Sequence, residues 1–168
     1  VNNLNNVICL CKEYHKNNLN IPNFWNEILP KWLDLIPEKG IFCKKTELLN
    51  IYQNIDNEIN IIPNIQNDIV LCHHDIHSRN IVNNKDKLEL IDLEFSFNNY
   101  YFVDLGNIIC EIFTDYDNEI YEYNLIDDSI IKKVLKLYDK NITPDNIKKI
   151  KIGIQISHFY WCIWGILV

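Results

Sequence analysis

The feature that most constrains the fold of this chain is a pair of short β-type runs separated by a polar loop. The run "DIVLCHH", residues 68–74, is apolar and rich in β-forming side chains, and "KLELID", residues 87–92, alternates apolar and polar residues. Runs of this kind are typical of strands. We therefore predict two strands, joined through the loop at 74–84 and a short hairpin at "NNKDK".

The loop after the first run concentrates ionisable side chains, because His73, His74, Asp75 and His77 fall within five positions. Clustered His and Asp residues occur in zinc and two-metal hydrolases. A tetrahedral metal site needs side chains that converge, whereas successive residues at a strand end point to opposite faces. We therefore expect at most two of the three histidines to be able to share a metal.

Phosphoryl transfer makes different demands: one carboxylate orients the attacking hydroxyl, and an amide oxygen and a second carboxylate hold Mg²⁺. Asp75 is followed five residues later by Asn80, in the H-x-D-x-x-x-x-N pattern of kinase catalytic loops. The next predicted strand ends at Asp92. This order of strands and polar residues favours a phosphotransferase site over a metal hydrolase.

The remainder of the chain has mainly helical periodicity. The last helix has the clearest start, with Thr143 as N-cap, Pro144 at the first helical position and Asp145 in the first turn. The other predicted helices are Leu4–Tyr14, Phe24–Leu35 closed by Pro37 and Gly40, a segment from Thr46 that fades before Pro63, "FVDLGNIICEIF" at 102–113 and "DSIIKKVLKLY" at 128–138. The 168 residues fit a single domain or one lobe of a larger one.

Composition excludes several classes of protein. With 48% hydrophobic residues the chain is not intrinsically disordered. A formal net charge of −7 argues against a nucleic acid or an anionic membrane surface as partner, since either calls for a basic patch. A cationic or metal-bound ligand suits this charge better.

The cysteines and the two ends of the chain bear on its location and completeness. Its six cysteines lack C-x-x-C pairs, so we expect reduced thiols and a cytoplasmic location. The terminal apolar run is interrupted by Gln155, Ser157 and His158 and falls short of a membrane span. Because the chain begins at Val1 and contains no Met, we expect it to be a fragment.

Four ordered blocks of sequence resemble the choline and ethanolamine kinases. The first is the H-x-D-x-x-x-x-N loop, and "DLEFSFNNYYFVDLGNIICE" from Asp92 is similar to the family's D-F-E-x-x-x-x-N-x-x-x-x-D-x-x-N-x-x-x-E. "EIFTDY" and "SHFYWCIWGIL" resemble its E-x-x-x-D-Y segment and its S-H-F-x-W-x-x-W helix. The chain departs from the family at His74, where Asn is usual, and at Leu93, where Phe or Tyr is usual.

The resemblance implies a fold, a reaction and a set of residues. The fold would be α+β and predominantly helical, the C-terminal lobe of a protein-kinase-like fold with a small β-hairpin carrying the catalytic loop, and residues 1–168 would lack the N-terminal nucleotide lobe. The reaction would be the phosphorylation of choline or ethanolamine by ATP with Mg²⁺, the first step towards the phospholipid head groups. Asp75 would be the catalytic base, and Asn80 and Asp92 the metal ligands. The supporting residues would be His73, Glu94, Asp104 and Asn107.

The amine pocket implied by the resemblance consists of Glu111, Tyr116, Trp161 and Trp164. Trp161 and Trp164 are three residues apart on a predicted helix and share a face, and aromatic faces with a carboxylate favour an ammonium group. Tryptophans at this spacing also occur in protein cores, which is the competing interpretation. Choline is slightly favoured over ethanolamine because of the aromatic residues, while His77 and Arg79 match neither subgroup.

Other functions remain open from the sequence. The absent N-terminal lobe and His74 favour a non-catalytic pseudokinase or binding module, and a kinase of another amino alcohol or of aminoglycosides is a variant of the enzyme hypothesis. We expect these 168 residues alone to be inactive. A homodimer is also open.

Overall fold

The computed structural model describes residues 3–38, 44–85 and 87–168. The described residues up to Asn60 are mainly helical, as predicted. Helix α1 spans Leu4–Tyr14, with the Asn3 side chain accepting a hydrogen bond at its start, and α3 spans Lys45–Asn60. The expectations for Gly40, Cys43 and Asp86 concern positions outside the described residues.

The predicted helix at 24–35 consists of two parts. A π-helical turn, Phe24–Ile28, runs directly into helix α2, Leu29–Leu35. Pro30 lies in the first turn of α2, and proline has no backbone N–H to continue a helical ladder. The turn before it closes instead with a wider hydrogen bond, from the Leu29 N–H to the Phe24 carbonyl.

The second half of the chain contains the central pair of helices. Helix α4 spans Tyr101–Ile112, α5 spans Asp128–Leu137, and α6 spans Pro144–Leu167 with Thr143 as its N-cap, as predicted. Ten consecutive residues of α4, from Tyr101 to Cys110, are buried. Gly106 and Gly153 let the backbones of α4 and α6 touch, because a Cβ atom at either position would clash with the other helix.

The strands form three small antiparallel pairs rather than one sheet. Strand β1, Ile69–Cys72, pairs with β4, Phe97–Tyr100; β2, Ile81–Asn84, pairs with β3, Lys87–Leu90; and β5, Thr114–Asp115, pairs with β6, Ile120–Tyr121. The two predicted strands both exist as β1 and β3. They do not pair with each other, since each takes another partner.

The core is built around α4 and α6, with buried residues of α1, α2, α3 and α5 completing it, and the polar loop between β1 and β2 is fixed to α4. None of the helices within the described ranges is long and apolar enough to cross a membrane. Cys9, Cys11, Cys72 and Cys110 are free thiols, as expected.

Candidate active site

The loop after β1 contains only a short 3₁₀ turn, Ser78–Asn80, and side chains from elsewhere hold its backbone. Asp104 on α4 accepts hydrogen bonds from the backbone N–H groups of His73 (Oδ2, 2.8 Å) and His74 (Oδ1, 2.8 Å). Asn107, one helical turn further along α4, accepts from the Ile76 N–H at 2.7 Å. Buried N–H groups need such acceptors. Helix α4 therefore fixes the path of the loop around Asp75.

The anchor Asp104 is itself part of a buried cluster that the sequence did not reveal. His15, which caps the end of α1, lies with Nε2 2.9 Å from Asp104 Oδ2 and Nδ1 2.6 Å from the Tyr138 hydroxyl. Burial alone would raise the pKa of Asp104. The hydrogen bond and charge of His15, the charge of His74 and the His73 N–H outweigh burial and lower this pKa to about 2.

Cys11, His15 and Asp104 have ligand atoms within 4.8 Å of one another, a spacing that a metal ion could bridge. The Asp104 oxygens already accept hydrogen bonds, and both His15 nitrogens have hydrogen-bonding partners. We therefore interpret the cluster as a hydrogen-bonded brace. Cys11 and His15 are four residues apart at the end of α1. This spacing is the one feature of the sequence that indicates that their side chains share a face.

His73 and His74 are fully buried, and their rings hydrogen-bond to different parts of the scaffold. His73 donates from Nε2 to the Ile91 carbonyl at 2.9 Å and accepts from the Asp75 N–H at Nδ1, at 3.3 Å. His74 donates from Nδ1 to the Phe95 carbonyl, and burial lowers its pKa to about 4. Asn99 donates from Nδ2 to the Nε2 of His74 at 2.9 Å, so each histidine uses both nitrogens in structural hydrogen bonds.

Asp75 lies at the surface end of the loop, where two side chains fix one of its oxygens. Asn80 donates from Nδ2 to Asp75 Oδ2 at 2.8 Å and to the Asp75 carbonyl at 3.0 Å. His77 accepts from the Arg79 N–H at Nδ1, so its Nε2 carries the hydrogen that faces Asp75 Oδ2 at 3.4 Å. Within the described part of the chain nothing donates to Oδ1, which leaves that oxygen available to a ligand.

Asn80 and Asp92 are held at neighbouring places on the backbone. The Ile91 N–H donates to the Asn80 carbonyl at 3.0 Å, and the following residue, Asp92, has a left-handed backbone with φ of 62°. Because Nδ2 of Asn80 makes both hydrogen bonds to Asp75, its Oδ1 remains an acceptor. Asp92 and Glu94 are both exposed. These groups offer amide and carboxylate oxygens, the ligands that Mg²⁺ prefers.

A cavity of about 420 Å³ opens beside Asp75. Glu111, at the end of α4, is half-buried there and receives the Tyr116 hydroxyl at 2.9 Å from each carboxylate oxygen. Burial raises the pKa of Glu111, against the opposing effects of Tyr116 and His77. The other residues that line the cavity are His77, Arg79, Asn107, Cys110, Tyr123, Ser157, His158 and Trp161.

The two tryptophans of α6 occupy different positions. Trp161 lines the cavity, and its ring packs against Phe95 at 5.2 Å and Trp164 at 5.5 Å between ring centroids. Trp164 is 37% exposed and packs edge-on against Trp161, outside the set of residues that line the cavity. The structure therefore brings Asp75, Glu111, Tyr116 and Trp161 to one cavity. Trp164 packs against Trp161 but does not line the cavity.

Comparisons with known proteins find similar sequences and similar solved structures. A family model described as choline/ethanolamine kinase matches residues 3–168. A human choline/ethanolamine kinase is 25% identical over 157 residues, covering 79% of this chain and 39% of that protein. Human ethanolamine kinase 1 is 26% identical over 121 residues, covering 64% of this chain and 27% of that protein.

Solved structures share the fold. An ethanolamine kinase of Plasmodium vivax superposes with a TM-score of 0.74 at 20% identity, covering 98% of this chain and 52% of that one. A choline/ethanolamine kinase family protein of Mesorhizobium loti gives 0.69 at 14% identity, covering 98% and 53%. The chain thus spans about half the length of these structures and less than half of the two human relatives.

Proposed function

Since this chain belongs to the choline/ethanolamine kinase family, we propose that it transfers the γ-phosphoryl group of ATP to the hydroxyl of choline or ethanolamine. The observation that carries the proposal is that one cavity is lined by both Asp75 and Glu111. An amino alcohol has a hydroxyl for the first carboxylate and an ammonium for the second. The reaction would supply phosphorylated head groups for phospholipid synthesis.

Asp75 is the proposed catalytic base. Its Oδ2 is engaged by Asn80 and faces His77, so Oδ1 is the atom that would accept the hydrogen of the substrate hydroxyl and orient it for attack. Phosphoryl transfer depends mainly on such positioning and on electrostatic stabilisation. The four braced N–H groups of residues 73–76 give the loop the rigidity that this role requires.

Asn80 and Asp92 are the proposed magnesium ligands. The available Oδ1 of Asn80 and the exposed carboxylate of Asp92 fit a hard cation, and exposed Glu94 lies two residues further on. Bound Mg²⁺ would neutralise charge on the ATP phosphates. His73 connects the proposed base to the proposed metal site, because its ring hydrogen-bonds to both the Asp75 N–H and the carbonyl of Ile91, the residue before Asp92.

The ammonium end of the substrate would lie against Glu111 and the rings of Tyr116 and Trp161. A carboxylate with aromatic faces favours a cation, and this carboxylate is oriented by the Tyr116 hydroxyl. We also propose that residues 1–168 form the C-terminal lobe of the kinase. The protein would work in the cytosol, where thiols such as Cys72 and Cys110 stay reduced.

The experiment is a phosphorylation assay with ATP and Mg²⁺ on the native full-length protein, using matched acceptors. Choline and ethanolamine should be phosphorylated. Ethylamine, which lacks the hydroxyl, should bind and inhibit without being phosphorylated, and ethylene glycol, which lacks the ammonium, should be a poor acceptor. Phosphorylation of neither amino alcohol, or equal turnover of ethylene glycol, would reject the proposal.

A further inference from the structure

The ring of Tyr116 already has a cation next to it in this structure. The guanidinium carbon of Arg79 lies 5.3 Å from the ring centroid, within cation–π distance. Asp117 forms an ion pair with the same guanidinium, with Oδ1 3.2 Å from Nη2. The imidazole of His77 also neighbours the ring, at 5.9 Å between centroids. Tyr116 therefore has its hydroxyl on Glu111 and Arg79 over its ring.

The position of Arg79 over the Tyr116 ring affects the binding of a primary ammonium and of a quaternary ammonium differently. A primary ammonium has three N–H groups to donate and finds its main partner in the Glu111 carboxylate. A trimethylammonium donates nothing and depends on aromatic faces around it. Repulsion by Arg79 acts on both cations alike. The loss of an aromatic face, by contrast, weakens mainly the binding of the quaternary one.

The other aromatic rings at the cavity replace only part of the aromatic surface that Arg79 takes up on Tyr116. Trp161 lines the cavity, while Trp164 packs against Trp161 and does not line it. Tyr123 lines it too, but its ring packs against His158 at 4.7 Å between centroids. In this arrangement Trp161 is the principal ring left for a trimethylammonium group.

From this geometry we propose that Arg79 is a specificity-determining residue, which makes the site favour a primary ammonium such as ethanolamine over a quaternary one such as choline. The proposal rests on the proposed function, because it concerns the amine end of the same cavity. It reverses the slight preference for choline that the number of aromatic residues suggested. Arg79 lies in the Asp75–Asn80 loop, so the loop that would position the hydroxyl also selects the head group.

The effect should be modest, because the Arg79 side chain is 64% exposed. An exposed cation–π contact is worth up to ~1 kcal/mol, which corresponds to about a fivefold change in a ratio of affinities. Arg79→Ala should therefore raise the affinity for choline relative to ethanolamine about fivefold. Asp117→Asn, which only releases the guanidinium from its anchor, should shift the ratio in the same direction by less.

The experiment is calorimetric titration of the native protein with ethanolamine and its mono-, di- and trimethylated forms. The wild-type protein should bind more weakly as methyl groups are added, and Arg79→Ala should flatten this series. Lys148→Ala is the matched control, since it removes an exposed cation with an acidic partner, Glu58, away from the cavity. The control should reproduce the wild-type series.

The outcomes separate this inference from the proposed function. Binding of both amines with choline equal or preferred, or an Arg79→Ala series parallel to that of the wild type, overturns the role of Arg79 and leaves the kinase proposal standing. Binding of neither amine by the wild-type protein overturns both. A flattened series in Arg79→Ala but not in Lys148→Ala supports the inference.

Discussion

The substitution Asp104→Asn tests how the loop that carries Asp75 is held in place. The change keeps the shape of the side chain but replaces one acceptor oxygen with an NH₂ group. If the amide oxygen stays on the His74 N–H, the NH₂ group faces the His73 N–H and His15 Nε2, which both contact Oδ2 in the wild type. Two buried donors then lose their acceptor.

The magnitude follows from these contacts. A buried donor left without an acceptor costs about 1–3 kcal/mol, so the two together amount to roughly 2–6 kcal/mol. His15 can relieve its part by moving its proton to Nδ1 and donating to the Tyr138 hydroxyl, 2.6 Å away. We therefore expect the free energy of unfolding to fall by about 2–4 kcal/mol.

Urea denaturation measures this loss, with Asp139→Asn as the control. Asp139 is an exposed carboxylate paired with Lys12, so its substitution should cost no more than about 1 kcal/mol. If the two variants lost equal stability, Asp104 would not be the anchor of the loop. If Asp104→Asn cannot be purified folded, Tyr138→Phe removes only the hydroxyl on His15 and should cost about 1 kcal/mol.

The same carboxylate makes stability depend on pH in a specific window. Because the pKa of Asp104 falls from 3.8 to about 2 on folding, its stabilisation is complete above pH 4 and is lost as the pH falls towards 2. The lost part is about 2–3 kcal/mol. Asp104→Asn should lack this component of the acid-induced loss of stability, whereas Asp139→Asn should keep it.

Three further changes test the cavity and the lobe. Glu111→Gln should raise KM for both amines about 10–100-fold in steady-state assays and leave KM for ATP nearly unchanged, because a charge-assisted contact to the ammonium is lost. Trp161→Ala should raise the amine KM more than Trp164→Ala, since only Trp161 lines the cavity; equal effects would contradict this placement. These 168 residues alone should show no turnover in a product assay, because positioning by the rest of the nucleotide cleft supplies much of the rate; robust turnover would refute the lobe assignment.

The helices were predictable because their signals are local. Asn-rich flanks with apolar periodicity mark α1, and the Thr143–Pro144 start marks α6, so no distant contact is needed to find them. The π-helical turn before Pro30 was missed. Its cause is visible in the sequence, but whether a proline ends, kinks or widens a helix depends on packing.

The strand pairing was not predictable, because it depends on distant segments. β1 pairs with "FNNY" at 97–100, a run with two asparagines and little β-type character, which was not predicted as a strand. The buried brace is similar, because His15 and Tyr138 follow the ends of α1 and α5, far from Asp104 in sequence. Spacing in one sequence carries no signal for such contacts.

The candidate site likewise has a part that the sequence predicts and a part that depends on distant contacts. Asp75, Asn80 and Asp92 follow from spacing within one hairpin, and the structure places the first two in direct contact. The different positions of Trp161 and Trp164 and the placement of Arg79 over Tyr116 depend on how α6 and the β5–β6 pair sit against the loop. Helical spacing alone makes the two tryptophans equivalent.

The most direct test of the account is to compare Asp75→Asn with the wild-type native protein in phosphoryl transfer from ATP to ethanolamine, with ATP affinity measured in parallel. Loss of the base should lower kcat by about 10²–10⁴-fold, because the hydroxyl is no longer oriented and its proton has no acceptor. ATP affinity and the free energy of unfolding should change little. A variant that keeps the wild-type rate would contradict the claim that Asp75 is the catalytic base of an amino alcohol kinase.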